Sequence, residues 1–257
     1  MKKLLFTLAI GLATLTSCES DLVSAPPSDS VGGAAYDGVL LKKDIISNAD
    51  GTVNNTSEYT YDGNKIIKIV NVSEFGTETT IYTYTDNLLT RIDDEHVNPS
   101  GAISSDVDVF EYDSNNKLIK ETTTLSDGSV QINTYVHNAD GTVTLNEDGG
   151  AIYIYTYSNG NIVSENHTNG DNDYASVFDN QNGIFKNVHQ RDVFELIGNY
   201  TFKNNLLSYT NTGGATYPDD ETYTYVYNPE GYPVTSTEVY APGTAYAETT
   251  TIEYFYE

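Results

Sequence analysis

The 257-residue chain contains no tryptophan, one methionine and a single cysteine. One cysteine closes no intramolecular disulfide and supplies no Cys/His metal cluster. Cationic residues are also scarce. Twelve Lys and Arg stand against 37 Asp and Glu, a formal net charge of −25, which excludes the basic surface that nucleic acids or anionic lipids require. Beyond the first 17 residues no apolar run is long enough for a transmembrane helix. No G-x-S-x-G or H-x-x-x-H motif occurs, and His96, His137, His167 and His189 are scattered along the chain. Carboxylate runs do occur, at Asp93-Asp94-Glu95, Asp219-Asp220-Glu221 and Asp171-x-Asp173, but a chain this acidic forms such runs by composition alone. The stretch around Asp171 lacks the twelve-residue loop with a closing Glu that a calcium hand needs. No catalytic residue, metal ligand or cofactor site is therefore assigned, and the chain does not read as an enzyme.

The amino-terminal stretch "MKKLLFTLAIGLATLTSC" has the layout of a secretory signal. Lys2 and Lys3 supply the positive start, and residues 4–15 form an apolar segment too short to anchor a chain across a bilayer. Leu15-Thr16-Ser17-Cys18 resembles the lipobox of bacterial lipoproteins, a resemblance that implies cleavage before Cys18 and acylation of that cysteine. The expected organisation is a signal peptide over 1–17, a Ser/Asp/Pro/Gly-rich tether over 18–37 and one β domain over 38–257. Removal of Lys2 and Lys3 leaves 10 basic residues against 37 acidic ones, a net charge of −27.

What is plentiful is tyrosine, 22 of them, with 8 phenylalanines. They recur in related stretches: "EYTYDGNKIIKI", "IYTYTDNLLTRI", "VFEYDSNNKLIK", "IYTYSNGNIVSE", "NYTFKNNLLSY" and "TYTYVYNPEGYPV". The last aromatic before each turn is Tyr61, Tyr84, Tyr112, Tyr157, Phe178, Phe202 or Tyr227, and His137 fills the gap. Along each aromatic strand the rings alternate with Thr, Glu, Ile or Val, which is the period-2 pattern of a half-buried strand. Asp62-Gly63, Asp127-Gly128, Asp140-Gly141, Asn159-Gly160 and Ser114-Asn115-Asn116 are hairpin turn sequences. Each return strand opens on an aliphatic pair, from Ile66-Ile67 and Leu88-Leu89 through Ile184-Phe185 to Leu206-Leu207, so one member of each pair must face away from the rings.

Hairpins in succession with short loops make an antiparallel up-and-down meander of about 17–18 strands. Such an all-β sheet closes or partly closes into a barrel; the alternative is an elongated twisted sheet. Residues 187–198, "NVHQRDVFELIG", interrupt the pattern with a loosely helical spacing of Val188, Phe194 and Ile197, which predicts a short helix or an irregular excursion.

The "YTYDGNKIIKI" unit resembles the tyrosine-aspartate repeats of Rhs-type proteins. The whole arrangement resembles Bacteroidota lipoproteins of unknown function with tyrosine-rich hairpins and a porin-like β fold (DUF4595-like). "FDNQNGIFKN" over 178–187 is similar to that group's D-x-K-x-N-P-F-K-N motif at Asp179, Asn182, Phe185, Lys186 and Asn187, with Gln181 in the place of the lysine. The resemblance implies a porin-like barrel at the cell envelope, held to the outer membrane by lipid and facing the periplasm or the cell surface.

Two functions fit these features. One is a non-catalytic envelope lipoprotein that binds a glycan or lipid through its aromatic face, with Tyr84, Tyr112, Tyr155, Tyr157, Tyr225 and Tyr227 as the candidate ligand-facing rings. The alternative is a structural or surface-interaction scaffold that meets envelope proteins and takes no small ligand. In either, the membrane is met through lipid on Cys18, and nucleic acid is not a partner. Cys18→Ala is expected to release the protein from membranes, measured as its partition between the membrane and soluble fractions; unchanged partitioning would refute lipidation.

Overall fold

A computed structural model describes residues 38–168, 173–198, 202–214 and 219–257. The signal peptide, Cys18 and the tether lie outside the described residues.

Among the described residues, sixteen strands and one short helix make up the fold. They are β1 (Leu41–Asn48), β2 (Val53–Asp62), β3 (Lys65–Ser73), β4 (Gly76–Thr85), β5 (Leu88–Val97), β6 (Ile103–Tyr112), β7 (Leu118–Thr124) and β8 (Val130–His137). The second half comprises β9 (Val143–Asn146), β10 (Ile152–Ser158), β11 (Asn161–His167), β12 (Tyr174–Phe178), α1 (Arg191–Leu196), β13 (Leu206–Asn211), β14 (Glu221–Tyr227), β15 (Pro233–Tyr240) and β16 (Glu248–Tyr256). Each strand pairs antiparallel with its sequence neighbours, and β1 pairs with β16, so the meander closes into a barrel. Closure leaves no free edge. The elongated-sheet alternative is thereby excluded.

One device repeats at the hairpin ends. Thr60 pairs with Lys68 but Tyr61 pairs with Ile66, so Ile67 is an extra residue. The same shift precedes Tyr84, Tyr112, Tyr157, Phe178, Tyr227 and, across the closing seam, Tyr256. These bulges explain the aliphatic pairs. Ile66, Leu118, Ile162 and Leu206 face inward and are buried, whereas Ile67, Ile119, Val163 and Leu207 are the inserted residues. In the β4–β5 hairpin it is Leu89 that faces inward, with no exposed surface, and Thr90 that is inserted.

The bulges leave carbonyls for the neighbouring rings. Tyr61 donates to the Leu41 carbonyl at 2.8 Å, Tyr112 to Leu89 at 2.7 Å, Tyr225 to Leu206 at 2.8 Å and Tyr256 to Pro233 at 2.8 Å. His137 Nε2 takes the same place against Leu118 at 2.8 Å.

The turns follow the sequence closely. Asp86 and Asn87 both have positive φ, as do Asn159 and Gly160, the geometry of two-residue type I′ loops. At 48–52, 98–102, 138–142 and 228–232 the loops are five residues, each with a glycine of positive φ in fourth place.

The sixth hairpin departs from the sequence expectation. Phe178 ends β12 and Phe202 precedes β13, so they belong to one hairpin, and Ile184-Phe185 opens no return strand. Residues 179–198 and 202–205, with α1 among them as the irregular spacing predicts, fold into the barrel as a plug. The closing β16–β1 pair takes the place of an eighth hairpin, and there Tyr254 and Tyr256 complete the circle of rings.

Phe185, Val188, Val193, Phe194 and Leu196 of the plug pack against Ile66, Tyr82, Leu89, Ile92, Phe110, Leu118, Tyr135, Val143 and Leu145 of the wall. Phe185 meets Tyr59 edge-on at 5.4 Å, and Phe194 meets Tyr82 at 5.4 Å. The plug is also hydrogen-bonded around the rim. His189 donates its N–H to the Asn64 carbonyl at 2.9 Å, and Asn182 donates its N–H to Gly231 at 3.0 Å. Asn187 Nδ2 donates to the Val39 carbonyl at 2.9 Å, and Lys203 Nζ donates to Asn159 at 3.0 Å.

Phe194→Ala removes the most enclosed ring of the plug, 1% exposed, and is expected to cost about 3–5 kcal/mol, read from urea unfolding. An unchanged unfolding midpoint would mean that the plug is not part of the barrel core.

Candidate functional site

Because β-strand side chains alternate, the register assigns every barrel residue to the inside or the outside. Moving from the plugged end along the inward rows, the first two positions are mostly rings and aliphatic side chains. The next positions are mostly polar, and many are carboxylates. Tyr84 and Tyr82 lead to Thr80 and Glu78, Tyr112 and Phe110 lead to Asp108 and Asp106, and Tyr227, Tyr225 and Tyr223 lead to Glu221. On return strands Asp44, Asp94, Glu121, Glu165 and Glu238 point inward as well. The interior is thus mostly apolar and largely filled at the plugged end and acidic towards the other.

Hydroxyl groups of the same wall hold these carboxylates. Tyr59 donates to Asp44 at 2.6 Å, Thr123 to Asp108 at 2.6 Å, Tyr135 to Glu121 at 3.0 Å and Tyr223 to Glu221 at 2.6 Å. Thr80 donates to Asp94 at 2.5 Å, and Tyr174 donates to Asp219. Among the described residues no Lys or Arg forms an ion pair with any of these inward carboxylates; the ion pairs lie on the outer face, at the rim or in the plug.

Uncompensated burial shifts their acidity. Desolvation, opposed by the Thr80 hydrogen bond and reinforced by Glu78, Asp108 and Asp106, raises Asp94 to about 6. Desolvation and the charge of Glu147 raise Glu165 to about 7. Burial likewise raises Asp44, Asp108, Glu121 and Glu238. His167 faces the same space, stacked on Tyr153 at 4.8 Å, and neither of its ring nitrogens has a hydrogen-bond partner among the described residues.

The candidate rings from the sequence take several places. Tyr84 lies beside His189 of the plug at 6.1 Å, with the Lys65 ammonium 5.3 Å from its ring centre. Tyr112, Tyr155 and Tyr157 also pack against the core that the plug completes. Tyr227 donates to Asp179 and stacks on Tyr225 at 5.9 Å. Tyr225 lines a cavity of about 140 Å³ together with Ile184, Phe202, Asn204, Asn205, Leu206, Tyr223 and Tyr254. Of the six rings, Tyr225 is the one on this cavity.

The carboxylate runs of the sequence are split by the alternation. Asp94 faces inward and its neighbours Asp93 and Glu95 face outward, where Asp93 pairs with Arg91. The Asp171-x-Asp173 pair is only half described, since Asp171 lies outside the described residues. Among the described residues no group of three His, Cys, Asp or Glu is arranged to hold a metal ion. The inward carboxylates were legible in principle: Glu221 and Asp108 stand two residues from a ring on the same strand and share its face.

No family model and no curated protein matches the chain. Among solved structures it is similar to a porin-like protein from Bacteroides uniformis, at 12% identity over 84% of this chain and 98% of that one, with a TM-score of 0.36. A porin-like protein from Bacteroides vulgatus is similar at 10% identity, over 86% and 99% of the two chains, with a TM-score of 0.28. Likenesses of that size carry no argument, and the barrel rests on its own hydrogen-bond register.

The raised acidities give stability a defined pH dependence. A carboxyl group whose folded pKa exceeds its unfolded value stabilises the fold below the ordinary carboxylate range, and that contribution is lost as pH rises through the folded pKa. The window for Asp94 and Glu165 runs from about 4 to about 7. Melting temperature is expected to fall by a few degrees between pH 5 and pH 8, and the Asp94→Asn, Glu165→Gln double variant to lose most of that slope. An unaltered slope in the variant would show that these two groups are not its source.

Proposed function

We propose that this chain is a non-catalytic envelope lipoprotein, anchored to the outer membrane through Cys18, whose barrel holds a hydroxyl-rich ligand of the glycan class. One observation carries the reading: rows of rings that continue, on the same inward face, into carboxylates already oriented by tyrosine and threonine hydroxyls. Carboxylates accept hydrogen bonds from sugar hydroxyls, and tyrosine rings stack on the apolar faces of pyranoses. Such a wall suits a glycan better than a lipid, because an acyl chain would desolvate Asp94, Asp108 and Glu121 without pairing them. The plug supports binding in preference to conduction, since it fills one end of the lumen. The signal layout and the lipobox-like Leu15-Thr16-Ser17-Cys18 support the envelope address.

A scaffold role has one observation in its favour. The outward rows carry Thr, Val and Ile among their charged residues, and Val53, Ile103, Val130, Val177 and Val226 are each more than half exposed.

The test is a neutral-oligosaccharide array probed with the mature chain, followed by calorimetry on any retained glycan. Binding is expected, with an affinity at least about tenfold weaker in the Asp94→Asn, Glu121→Gln variant, the loss of roughly 1.4 kcal/mol that one good charge-assisted hydrogen bond supplies. No retained glycan, or equal affinity in the variant, would overturn the reading.

A further inference from the structure

The plug does not fill its end of the barrel evenly. Its core rings pack against β1–β11 and β16, and Tyr223, Tyr225 and Tyr227 of β14 are not part of that packed cluster. Between the plug and the β13–β16 wall lies the cavity of about 140 Å³. Its origin is visible in the second inward row. Where β3 and β5 place Ile69 and Ile92, β15 places Ser236, directly across from Tyr225. A serine there gives up the volume that isoleucine takes in β3 and β5.

The polar donors on the cavity wall are already committed. Tyr225 donates to the Leu206 carbonyl, Tyr223 to Glu221, and Tyr254 shares a 2.9 Å hydrogen bond with Ser236. Asn204 Nδ2 donates to the Gln181 carbonyl at 2.6 Å, and Asn205 Nδ2 donates to Asp179 and to the Asn182 carbonyl, both at 3.1 Å. Most of the donors are therefore spent within the wall itself, and an occupant that needs to accept several hydrogen bonds is poorly served here. What the cavity offers is ring faces and aliphatic carbon: Tyr223 and Tyr225, 15° apart in plane, with Ile184, Phe202 and Leu206 around them. The cavity is partly open to solvent, and an apolar space of about this size accepts a benzene-sized molecule.

We propose that this cavity is a second site, separate from the carboxylate wall, that takes a single apolar six-membered ring, such as the phenyl group of a larger ligand or a free monocyclic arene. The site is formed jointly by plug and wall, so its occupant bridges Ile184 to Tyr225 and Tyr254 and adds to the seating of the plug. It does not depend on the glycan reading, because no wall carboxylate touches it except through the Tyr223 hydroxyl.

The experiment uses the mature full chain with benzene as the probe and glucose as the control. Benzene near saturation is expected to raise the melting temperature by about 2 °C or more and to shift the ring resonances of Tyr225 and Tyr254, while glucose does neither. Two variants fill the space from opposite sides, Leu206→Phe from the wall and Ile184→Phe from the plug. Each is expected to abolish the benzene response, and a folded Ile184→Phe suffices if Leu206→Phe does not fold. The Asp94→Asn, Glu121→Gln variant is expected to keep the response, which separates this site from the carboxylate wall. No response to benzene, an equal response to glucose, or an undiminished response in a folded filling variant would each overturn the proposal.

Discussion

Everything in this structure depends on the hydrogen bonds between the first strand and the last. Once Asp44 lies opposite Tyr254 and Ile46 opposite Ile252, the sheet has no edge, and each strand has one face that sees only the interior. A one-residue slip anywhere on the circle would carry a row of rings to the outside and a row of threonines to the core. Closure therefore selects a single register for all sixteen strands, and the strict aromatic alternation of the sequence is what makes that register worth about as much as a hydrophobic core.

The bulge before the last ring of nearly every hairpin solves a local problem in that arrangement. It bends the strand at the plugged end and places a buried aliphatic residue, such as Leu89 or Leu118, directly beneath the plug. The bulge also interrupts the ladder, and the groups it frees need partners. Tyrosine hydroxyls from the next strand take several of the carbonyls, and the plug takes amides: Gln190 Oε1 accepts from Leu89 at 2.6 Å, and Glu195 Oε1 accepts from Ile162 at 2.8 Å. Burial raises Glu195, and its charge is met by Arg191 one helical turn away at 2.9 Å. A plug fastened through buried groups of this kind is strongly coupled to the barrel, since removing one partner leaves the other desolvated and alone.

The acidic half of the interior is less comfortable. Asp94, Glu165 and their neighbours are desolvated by the wall and repel one another, and hydroxyl donors compensate only part of that cost. Groups held this way are expensive in the empty protein and gain most from a partner that supplies hydrogen-bond donors. Apolar rings at the plugged end and desolvated carboxylates above them make two environments within one lumen, and the ring-sized gap beside Tyr225 lies where the first is incompletely packed.

Much of this architecture was present in the sequence. The alternation of Tyr59 with Tyr61 and of Tyr223, Tyr225 and Tyr227 is enough to assign strands and their buried face, because a period of two has no other cheap solution. Asp-Gly and Asn-Gly pairs located the turns, and the broken spacing of Val188, Phe194 and Ile197 marked the helix. The aliphatic pairs could be counted but not explained, since a bulge is a property of two strands at once. Ile184-Phe185 looked like one more such pair because the local pattern is the same in a plug as in a strand. By itself the sequence determined the meander, its turns and its inward face, all of which arise from neighbours along the chain. Only the tertiary structure decided that the circle closes with β16 on β1, that 179–198 and 202–205 enter the barrel instead of extending its wall, and that Asp94 faces inward while Asp93 and Glu95 face outward. Those outcomes depend on contacts between residues far apart in the chain, where no local pattern reaches.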